Sequence, residues 1–294
     1  MTPRTVAIIG AGRVGSSMGF LLNKAGYTIT AVVSRSLESA EKASAFIESG
    51  KPTTDLEGAS DAGIILIATP DRAIQEVCEK IAAGGLRAGS IVAHTSGAHT
   101  LDLLSAATAR GAYRAVLHPL QSLASREQGI KMLPGSYFRI EADPAALAPA
   151  REIMTALGGI ELAMPKWTQD NDSAALYHAG AVAVSNYFVA LVDYGLKFFE
   201  ALGAERTEAL RAVLPLIRGT LNNIETLGIP YALTGPIMRG DIDTIRGHLK
   251  AIQKRTPELA ALYKELARHT ISVAQEASSI SQDAAGELLK AVRE

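Results

Sequence analysis

Three glycines near the amino terminus have the spacing of a turn that binds phosphate. Gly10, Gly12 and Gly15 follow the apolar run TVAII at positions 5–9 in the pattern G-x-G-x-x-G. Such an unbroken apolar run is typical of a strand buried in a parallel sheet. Because a glycine has no Cβ, Gly10 allows a tight turn and Gly12 lets the backbone approach a ligand closely. The spacing predicts a site for the pyrophosphate of a dinucleotide; the alternative is a glycine-rich turn without a ligand.

The helix predicted after the turn, at about 14–25, supplies the other half of this site. Gly15 lets the helix lie against the strand. The free N–H groups at its start, from Arg13 and Val14 onward, and the positive end of its dipole favour an anion. A glycine triplet is a weak signal in a chain with 26 glycines, but this one lies between a predicted strand and a predicted helix, as the motif requires.

The end of the second predicted strand, 28–33, indicates which dinucleotide binds. Folds that select NAD carry an acidic residue here for the ribose 2′-hydroxyl, whereas this chain has Ser34, Arg35 and Ser36. A guanidinium offers a fork of donors to a phosphate. We therefore expect NADP(H), with Arg35, the flanking serines and Arg13 near the 2′-phosphate. The alternative is a solvated surface arginine.

Polar residues also follow three later predicted strands, at 63–68, 90–93 and 113–117. Ligands of such sheets bind beyond the carboxyl ends of the strands. Thr69 and Pro70 should therefore border the nicotinamide, although a simple helix start explains them equally well. Ser96 and His118 lie on the same side. For His94 and His118, a hydrogen-bonded structural role is as good an interpretation as a functional one.

The later part of the chain carries two further candidates. On a long predicted helix, 170–201, His178 and Ser185 are two turns apart and share a face that Asn186 adjoins. Core helices do not carry such residues without partners, which favours a site, although a network between helices explains the pattern too. Arg239 in the stretch LTGPIMRGD can bind a carboxylate bidentately or pair with Asp241.

Composition argues against several classes of function. The formal net charge of −1 and the lack of long basic runs argue against a nucleic acid partner. Cys78 is the only cysteine, so an internal disulfide or a cysteine-based metal cluster is excluded, and we expect no metal. The longest apolar stretch, 179–192, is too short to span a bilayer, and the N-terminus lacks the sustained apolar core of a signal peptide. We therefore expect a cytoplasmic protein without a membrane partner.

The order of the predicted elements indicates two domains. Strands alternate with helices up to about residue 163, which is typical of a doubly wound, mostly parallel α/β sheet of the Rossmann type. From Gln169 onward every segment has helical period, and Pro215 should kink or break the helix 207–227. We expect an NADP-binding Rossmann domain at 1–166 and an all-helical substrate and dimerisation domain at 167–294.

Six stretches spread over almost the whole chain resemble a group of bacterial Rossmann-like proteins with an all-helical C-terminal domain of unknown function. They are IIGAGRVG, ILIATPD, HTSGA, LHPLQS, ALYHAGAVAVSN and ALTGPIMRGD, of which the last three are specific. The group is related to ketopantoate reductase, pyrroline-5-carboxylate reductase and the beta-hydroxyacid dehydrogenases. The resemblance implies an NADP-dependent oxidoreductase with its active site between the domains, a homodimer through the helical domain, and a small 2-oxo acid substrate.

One position departs from these relatives. Ketopantoate reductases and beta-hydroxyacid dehydrogenases carry a lysine, with an asparagine one turn later, where this chain has His178 and Val182. Histidine titrates near neutrality and suits a proton donor, so we expect His178 to be the acid. The other expected roles are Asn186 and Ser96 to orient the carbonyl, Arg239 to hold a carboxylate, and His118 or Lys166 as reserve donors.

Two other functions are compatible with the same residues. A pyrroline-5-carboxylate-type imine reductase would share the fold, the cofactor and a carboxylate-bearing substrate. A protein that binds NADP(H) as a sensor without turnover is favoured by the missing lysine. A deazaflavin-dependent reductase is a weaker alternative, because that cofactor lacks the adenosine phosphate expected at Arg35.

Overall fold

The N-terminal part of the chain forms one sheet of eight strands. The computed structural model describes residues 4–293. The strands are β1 Thr5–Ile9, β2 Thr28–Val33, β3 Lys51–Thr53, β4 Ile64–Ile67, β5 Ile91–His94, β6 Tyr113–Pro119, β7 Tyr137–Ala142 and β8 Ile160–Glu161. They lie in the order β3-β2-β1-β4-β5-β6-β7-β8, and all neighbours are parallel except β6 and β7. The order reverses between β1 and β4, and ligands of such sheets bind beyond that point.

Helices connect most of the strands and account for most of the residues after β8. They are α1 Arg13–Lys24, α2 Leu37–Ile47, α3 Asp71–Ala83, α4 Ser105–Thr108, α5 Arg126–Met132, α6 Pro144–Ala156, α7 Asn171–Val184, α8 Asn186–Glu200, α9 Arg206–Leu227, α10 Ile242–Arg255, α11 Ala260–Glu276 and α12 Gln282–Arg293. The predicted fold class, a doubly wound and mostly parallel α/β sheet followed by a helical region, is confirmed.

Both faces of the sheet are buried, which explains the continuous apolar runs of its strands. In β1, Val6 and Ile8 enter one core that also contains Met18 of α1. Ala7 and Ile9 lie on the opposite face, in a second core with α3. Alternate residues of β1 therefore pack against helices on opposite faces of the sheet. This packing fixes the position of the glycine turn that follows β1.

The chain divides into two compact units, 1–185 and 186–294. Helix α7, which the sequence-based boundary near residue 166 assigns to the helical domain, belongs to the first unit. The start of α7 is held there by a hydrogen bond of 3.3 Å from the Thr100 hydroxyl to the Asn171 side chain. The functional boundary at 166 remains a prediction.

The long helix predicted at 170–201 is interrupted. Asp170 caps its start as expected, accepting a hydrogen bond of 2.7 Å from the Ser173 backbone N–H. However, α7 ends at Val184, Ser185 has φ −116° and ψ −69°, and α8 begins afterwards. The polar face expected for His178, Ser185 and Asn186 is therefore not part of one uninterrupted helix.

Two other expectations about the helices are revised. Of the kink or break expected at Pro215, the break does not occur, because α9 runs through this residue, and the kink stays a prediction. The run Asn171–Glu200 has the length and apolarity to cross a membrane, with a mean hydropathy of 1.4 over an 18-residue window of which none is buried. By length and composition alone, residues 4–293 therefore contain one candidate span, although a single such helix is weak support for membrane insertion.

Candidate functional site

The turn between β1 and α1 leaves no room for side chains at two of its glycines. Gly10 has φ +106°, and a Cβ there would lie 2.6 Å from the carbonyl carbon of Ala68. A Cβ on Gly15 would collide with the Gly10 carbonyl oxygen. At Gly12, by contrast, a Cβ would meet nothing within 4 Å. Gly10 and Gly15 therefore let β1, α1 and the end of β4 pack closely together. The space beside Gly12 is open to a ligand.

The start of α1 is suited to an anion. Gly12 is its N-cap and supplies no side-chain hydrogen bond, and the first turn contains no acidic residue. The first N–H groups of a helix have no partner within the helix and carry its positive dipole end. A pyrophosphate therefore fits this turn by charge and by hydrogen bonding, as the glycine pattern predicts.

The end of β2 places its polar residues at the same edge of the sheet. Arg35 is exposed there. The Ser34 backbone N–H donates to the Thr53 carbonyl at 3.1 Å, which ties this end to β3. Ser36 is the N-cap of α2, and its Oγ accepts from the Ser39 backbone N–H at 3.3 Å. The Ser36 hydroxyl thus has a structural role whether or not it also meets a cofactor.

Thr69 and Pro70 follow β4, and the structure supports a different interpretation for each: a place beside a ligand for Thr69 and a helix start for Pro70. Pro70 is the N-cap residue of α3, which supports the helix-start interpretation. The Thr69 Oγ1 is buried and has no hydrogen-bond partner among residues 4–293. Buried polar atoms are ordinarily paired, so this hydroxyl is available to a ligand at the β1–β4 reversal.

His94, at the end of β5, is a structural residue. Its Nδ1 accepts the Ser96 backbone N–H at 3.1 Å, and its Nε2 lies 2.9 Å from the Thr100 carbonyl, to which it donates. Burial is the main reason that the pKa of His94 falls from 6.5 to about 4. Ser96 is also engaged, because its Oγ accepts the Ala98 backbone N–H at 3.2 Å. Both side chains order the loop after β5.

His118, at the end of β6, forms a pair with Tyr177 of α7. The His118 Nδ1 and the Tyr177 hydroxyl oxygen are 2.9 Å apart, and the rings meet edge to face. Burial, assisted by the charges of Arg139, His178 and His94, lowers the pKa of His118 from 6.5 to about 3. The imidazole is therefore neutral at physiological pH and cannot act as a cationic acid.

The Tyr177 hydroxyl is the other member of this pair. Burial raises the pKa of its hydroxyl to about 12, and the nearby Arg139 opposes that rise. Tyr177 therefore keeps its proton at neutral pH, and its hydroxyl oxygen lies one hydrogen bond away from the neutral His118 ring. Residue type alone favours its neighbour His178 as the functional residue, although the stretches LHPLQS and ALYHAG, which resemble the family, carry the two members of the pair.

Arg139, in the middle of β7, is a fully buried cation. Its Nη1 donates to Glu141 at 3.3 Å, and its Nη2 donates to the Ser96 and His99 carbonyls at 3.2 and 2.5 Å. The guanidinium carbon lies 4.8 Å from the centroid of the Trp167 ring and 5.6 Å from that of Tyr177. In the sequence, the burial of Arg139 is indicated only by the opposite charge of Glu141, two residues later on the same face of a strand.

Arg139, Trp167 and His178 each contribute a buried polar atom without a partner. Among residues 4–293 six side-chain atoms are in this position, including Arg139 Nε, Trp167 Nε1 and His178 Nδ1. We call His118, Arg139, Trp167, Tyr177 and His178 the Tyr177 cluster. Because native interiors leave few polar groups unpaired, three orphans in one cluster favour a site for a polar ligand.

A cavity of about 490 Å³ lies next to the Tyr177 cluster. Its lining combines apolar and polar side chains: Met164, Pro165, Lys166, Trp167, Ser173, Leu176, Tyr177 and Gly180. Small-molecule sites have this character, mostly apolar with a few polar groups. Lys166, the expected substitute for the missing lysine, is therefore on the wall of the same cavity as Tyr177.

Two of the expected site residues belong to the second unit. Asn186 is the first residue of α8, and Arg239 ends a short 3₁₀ turn, Ile237–Arg239. Asp241, the alternative partner of Arg239, instead caps α10, accepting the Thr244 backbone N–H at 3.0 Å and its hydroxyl at 2.6 Å. The roles of Asn186 and Arg239 beside the first unit remain predictions.

Known structures share this architecture. A protein of Bacteroides fragilis described as a candidate NADP oxidoreductase is 23% identical, with a TM-score of 0.71 over 92% of this chain and 99% of its own. A pyrroline-5-carboxylate reductase from Coxiella burnetii is 18% identical, with a TM-score of 0.57 over 98% and 99%. A reductive aminase from Aspergillus terreus, in complex with NADPH, is 16% identical, with a TM-score of 0.60 over 100% and 93%. At these identities, the likeness concerns the fold.

Family models identify both parts of the chain, whereas no curated protein matches its sequence. Residues 2–119 match a Rossmann-like domain, and residues 136–270 match a domain of unknown function, DUF2520. The chain therefore joins a Rossmann-like domain to DUF2520, which confirms the family that its sequence motifs resemble.

Proposed function

We propose that this protein is an NADP(H)-dependent oxidoreductase that reduces a small 2-oxo acid, in the manner of ketopantoate reductase. The observation that carries the proposal is the glycine turn. Close contacts leave no room for a side chain at Gly10 or Gly15, and the space beside Gly12 is open. The named similarity to an NADP oxidoreductase and to a reductive aminase bound to NADPH supports the cofactor.

The residues that would hold the cofactor form a continuous edge of the first unit. The turn from Gly10 to Gly15 receives the pyrophosphate on the backbone N–H groups of Arg13 and Val14. Arg35 binds the 2′-phosphate, with Ser34 beside it, and Thr69 borders the nicotinamide. When bound, the nicotinamide supplies the hydride, and the protein must orient the substrate and deliver a proton.

We place the proton donor on Tyr177. Its hydroxyl keeps its proton at neutral pH, and a neutral His118 ring with its hydrogen on Nδ1 would donate to the hydroxyl oxygen and leave the hydroxyl hydrogen for the substrate. A hydrogen bond from a fixed donor to the developing alkoxide is what a reduction requires of the protein. His178, the donor favoured by its residue type, lies on the same helix and remains the competing candidate, with Lys166 on the cavity wall.

Loss of NADPH absorbance tests the proposed function. The purified protein is mixed with NADPH or NADH and with ketopantoate, pyrroline-5-carboxylate or no substrate. We expect turnover with NADPH and ketopantoate, and a much slower reaction with NADH because the 2′-phosphate then has no counterpart for Arg35. Equal rates with both nucleotides would contradict the role of Arg35, and failure to bind either would contradict the dinucleotide site.

An imine reductase is the second candidate, and the comparisons give it specific support. Two of the similar structures are named as a pyrroline-5-carboxylate reductase and a reductive aminase. Turnover of pyrroline-5-carboxylate without turnover of ketopantoate would select it. Tight NADPH binding without turnover of either would instead favour the sensor suggested by the missing lysine.

The active form that we propose is a cytoplasmic homodimer built through the helical region. Large apolar side chains on α8 and α9 are unusually exposed, with Tyr187 at 66%, Val189 at 70% and Leu216 at 71%. Soluble monomers rarely expose so much contiguous apolar surface. A second copy of the chain would bury these side chains. Dimer formation would therefore explain why the helical run Asn171–Glu200 is apolar without placing it in a membrane.

A further inference from the structure

We propose that Arg126 is a clamp for the pyrophosphate of the bound dinucleotide, reaching the glycine turn from outside the β1–α1 motif. This inference rests on the proposed NADP(H) site. Arg126 begins α5, in the segment 120–133 between β6 and β7, which we call the strap. Its Nη2 donates a hydrogen bond of 2.6 Å to the Ala11 carbonyl, inside the turn itself. A guanidinium therefore lies one residue from Gly12 and its open space.

The strap is tied to the start of α1 at several points. The Arg13 Nη1 donates to the Leu123 carbonyl at 3.3 Å, and the Ser17 hydroxyl shares its hydrogen between the Arg13 and Arg126 carbonyls, at 2.7 and 3.0 Å. Gly129 packs so closely on Ser17 that a Cβ there would collide with the Ser17 Oγ. These contacts hold the base of the Arg126 side chain in one place, as a preorganised ligand contact requires.

The charges at this place are unfavourable without an anion. The positive end of the α1 dipole disfavours cations, and helices ordinarily place Asp or Glu there. Here the first turn has no acidic residue and begins with Arg13, and Arg126 adds a second guanidinium. Arg126 has no ion pair with a carboxylate in the part of the chain that the structure describes. A pyrophosphate, with two negative charges, neutralises both.

The ligand group follows from the position of Arg126. Its hydrogen bond to Ala11 uses one N–H of the five that a guanidinium carries. The others can bind phosphate oxygens in the fork geometry that guanidinium and phosphate share. Arg35 lies at the end of a different strand, β2. We therefore assign the pyrophosphate to Arg126 and the 2′-phosphate to Arg35.

Binding of NADPH and NADH to full-length variants, measured by titration calorimetry, tests this assignment. Arg126→Met keeps the apolar stem of the side chain and removes its donors. We expect its Kd for NADPH and its Kd for NADH to rise by the same factor, roughly tenfold or more, because both carry the pyrophosphate. Arg35→Met should raise the Kd for NADPH alone.

A matched variant separates the clamp from a merely structural strap. The Gln128 side chain orders the strap by accepting the Ala124 backbone N–H at 2.8 Å, and it carries no charge. Gln128→Met should therefore leave both Kd values within about twofold of the wild type. Thermal unfolding without nucleotide confirms that each variant is folded, and Arg126→Lys, which keeps the charge, should recover part of the lost affinity if Arg126→Met is unstable.

Each result decides between the two proposals. If the wild type binds NADPH and Arg126→Met binds NADPH and NADH as tightly as the wild type does, the clamp is wrong and the proposed function stands. An effect of Arg126→Met on NADPH alone, or an equal effect of Gln128→Met, also overturns the clamp. If the wild type binds neither nucleotide, both proposals fail.

Discussion

At the scale of single residues, burial and the charge of Arg139 together determine the electrostatics around Tyr177. A charge removed from water is costly, and removing its partner is costlier still. Arg139 is compensated by Glu141, by two backbone carbonyls and by two aromatic faces. Its charge opposes protonation of His94 and His118 and opposes the rise in the pKa of Tyr177. Burial, the larger cause, keeps the two imidazoles neutral and the Tyr177 hydroxyl protonated.

The first prediction concerns the proton donor. Tyr177→Phe removes one hydroxyl and keeps the ring that contacts Arg139. We expect it to lower kcat at least a hundredfold, the order of contribution of a general acid, while the Kd for NADPH stays unchanged. His178→Gln should lower kcat less than tenfold. If the two effects are reversed, the donor is His178, as its residue type suggests.

The second prediction concerns stability and pH. Folding lowers the pKa of His94 from 6.5 to about 4 and that of His118 to about 3. Below pH 6.5 the unfolded chain therefore binds protons that the folded chain does not, so the stability is complete above pH 6.5 and is lost as the pH falls toward 4. These two groups should contribute a loss of unfolding free energy on the order of 5 kcal/mol between pH 7.5 and 4.5, measured by urea unfolding.

The pH dependence has a direct control. His94→Gln removes one of the two depressed groups, so the slope of stability against pH should become shallower even though the variant is less stable. His269→Gln, at an exposed position of α11, should leave the slope unchanged. An unaltered slope in His94→Gln would contradict the assignment.

At the scale of elements, the loop after β5 positions the pair at the end of β6. Gly97 contacts the His118 ring so closely that a Cβ would lie 2.7 Å from its Nε2. The loop itself is ordered by His94, which bonds the backbone on both sides. A glycine is therefore needed at 97 for a close approach, and not for an unusual φ.

The third prediction follows from this contact. Gly97→Ala should displace the His118 ring, break its 2.9 Å hydrogen bond to Tyr177 and lower kcat roughly tenfold or more, by analogy with the loss of a positioning contact. Gly247→Ala, in α10, meets nothing within 4 Å and should leave kcat unchanged while stabilising the protein by about 0.5–1 kcal/mol. Normal turnover by Gly97→Ala would exclude a role for the pair.

The helices show where local pattern is a weak guide. The sequence predicts a continuous helix through Ser185 and a kink or break at Pro215. In the structure the helix is interrupted at Ser185, whereas α9 continues through Pro215. Proline in a helix interior costs about 3 kcal/mol, yet α9 continues through Pro215, which is exposed. The propensity of one residue is therefore a weak predictor of where a helix ends.

At the scale of the whole molecule, the exposed apolar side chains of α8 and α9 lead to the fourth prediction. Sedimentation in detergent-free buffer should give a dimer. Val189→Asp combined with Leu216→Asp should give a monomer, because a charge cannot be buried in an apolar contact without a partner. Lys254→Asp, at an exposed position of α10, should remain dimeric. Recovery of the wild type only with membranes or detergent would instead assign the apolar run to a bilayer.

The sequence by itself determined the strand, glycine turn and helix at 5–25, the sheet that follows and the helical C-terminal part. These features depend on residue type and short spacing, which act locally: Gly10 needs a positive φ, and Asp170 caps a helix. Even Arg35 could be noticed, because it stands at a fixed place after a recognisable strand.

Only the tertiary structure decided which side chains meet. His118 and Tyr177 are 59 positions apart, and Arg126 and Ala11 are 115 apart. No local pattern relates such residues, because their distance depends on the order of strands in the sheet and on the path of the strap. The burial of Arg139 was hidden for the same reason: an arginine is ordinarily exposed, and the aromatic rings that enclose this one come from a distant part of the chain.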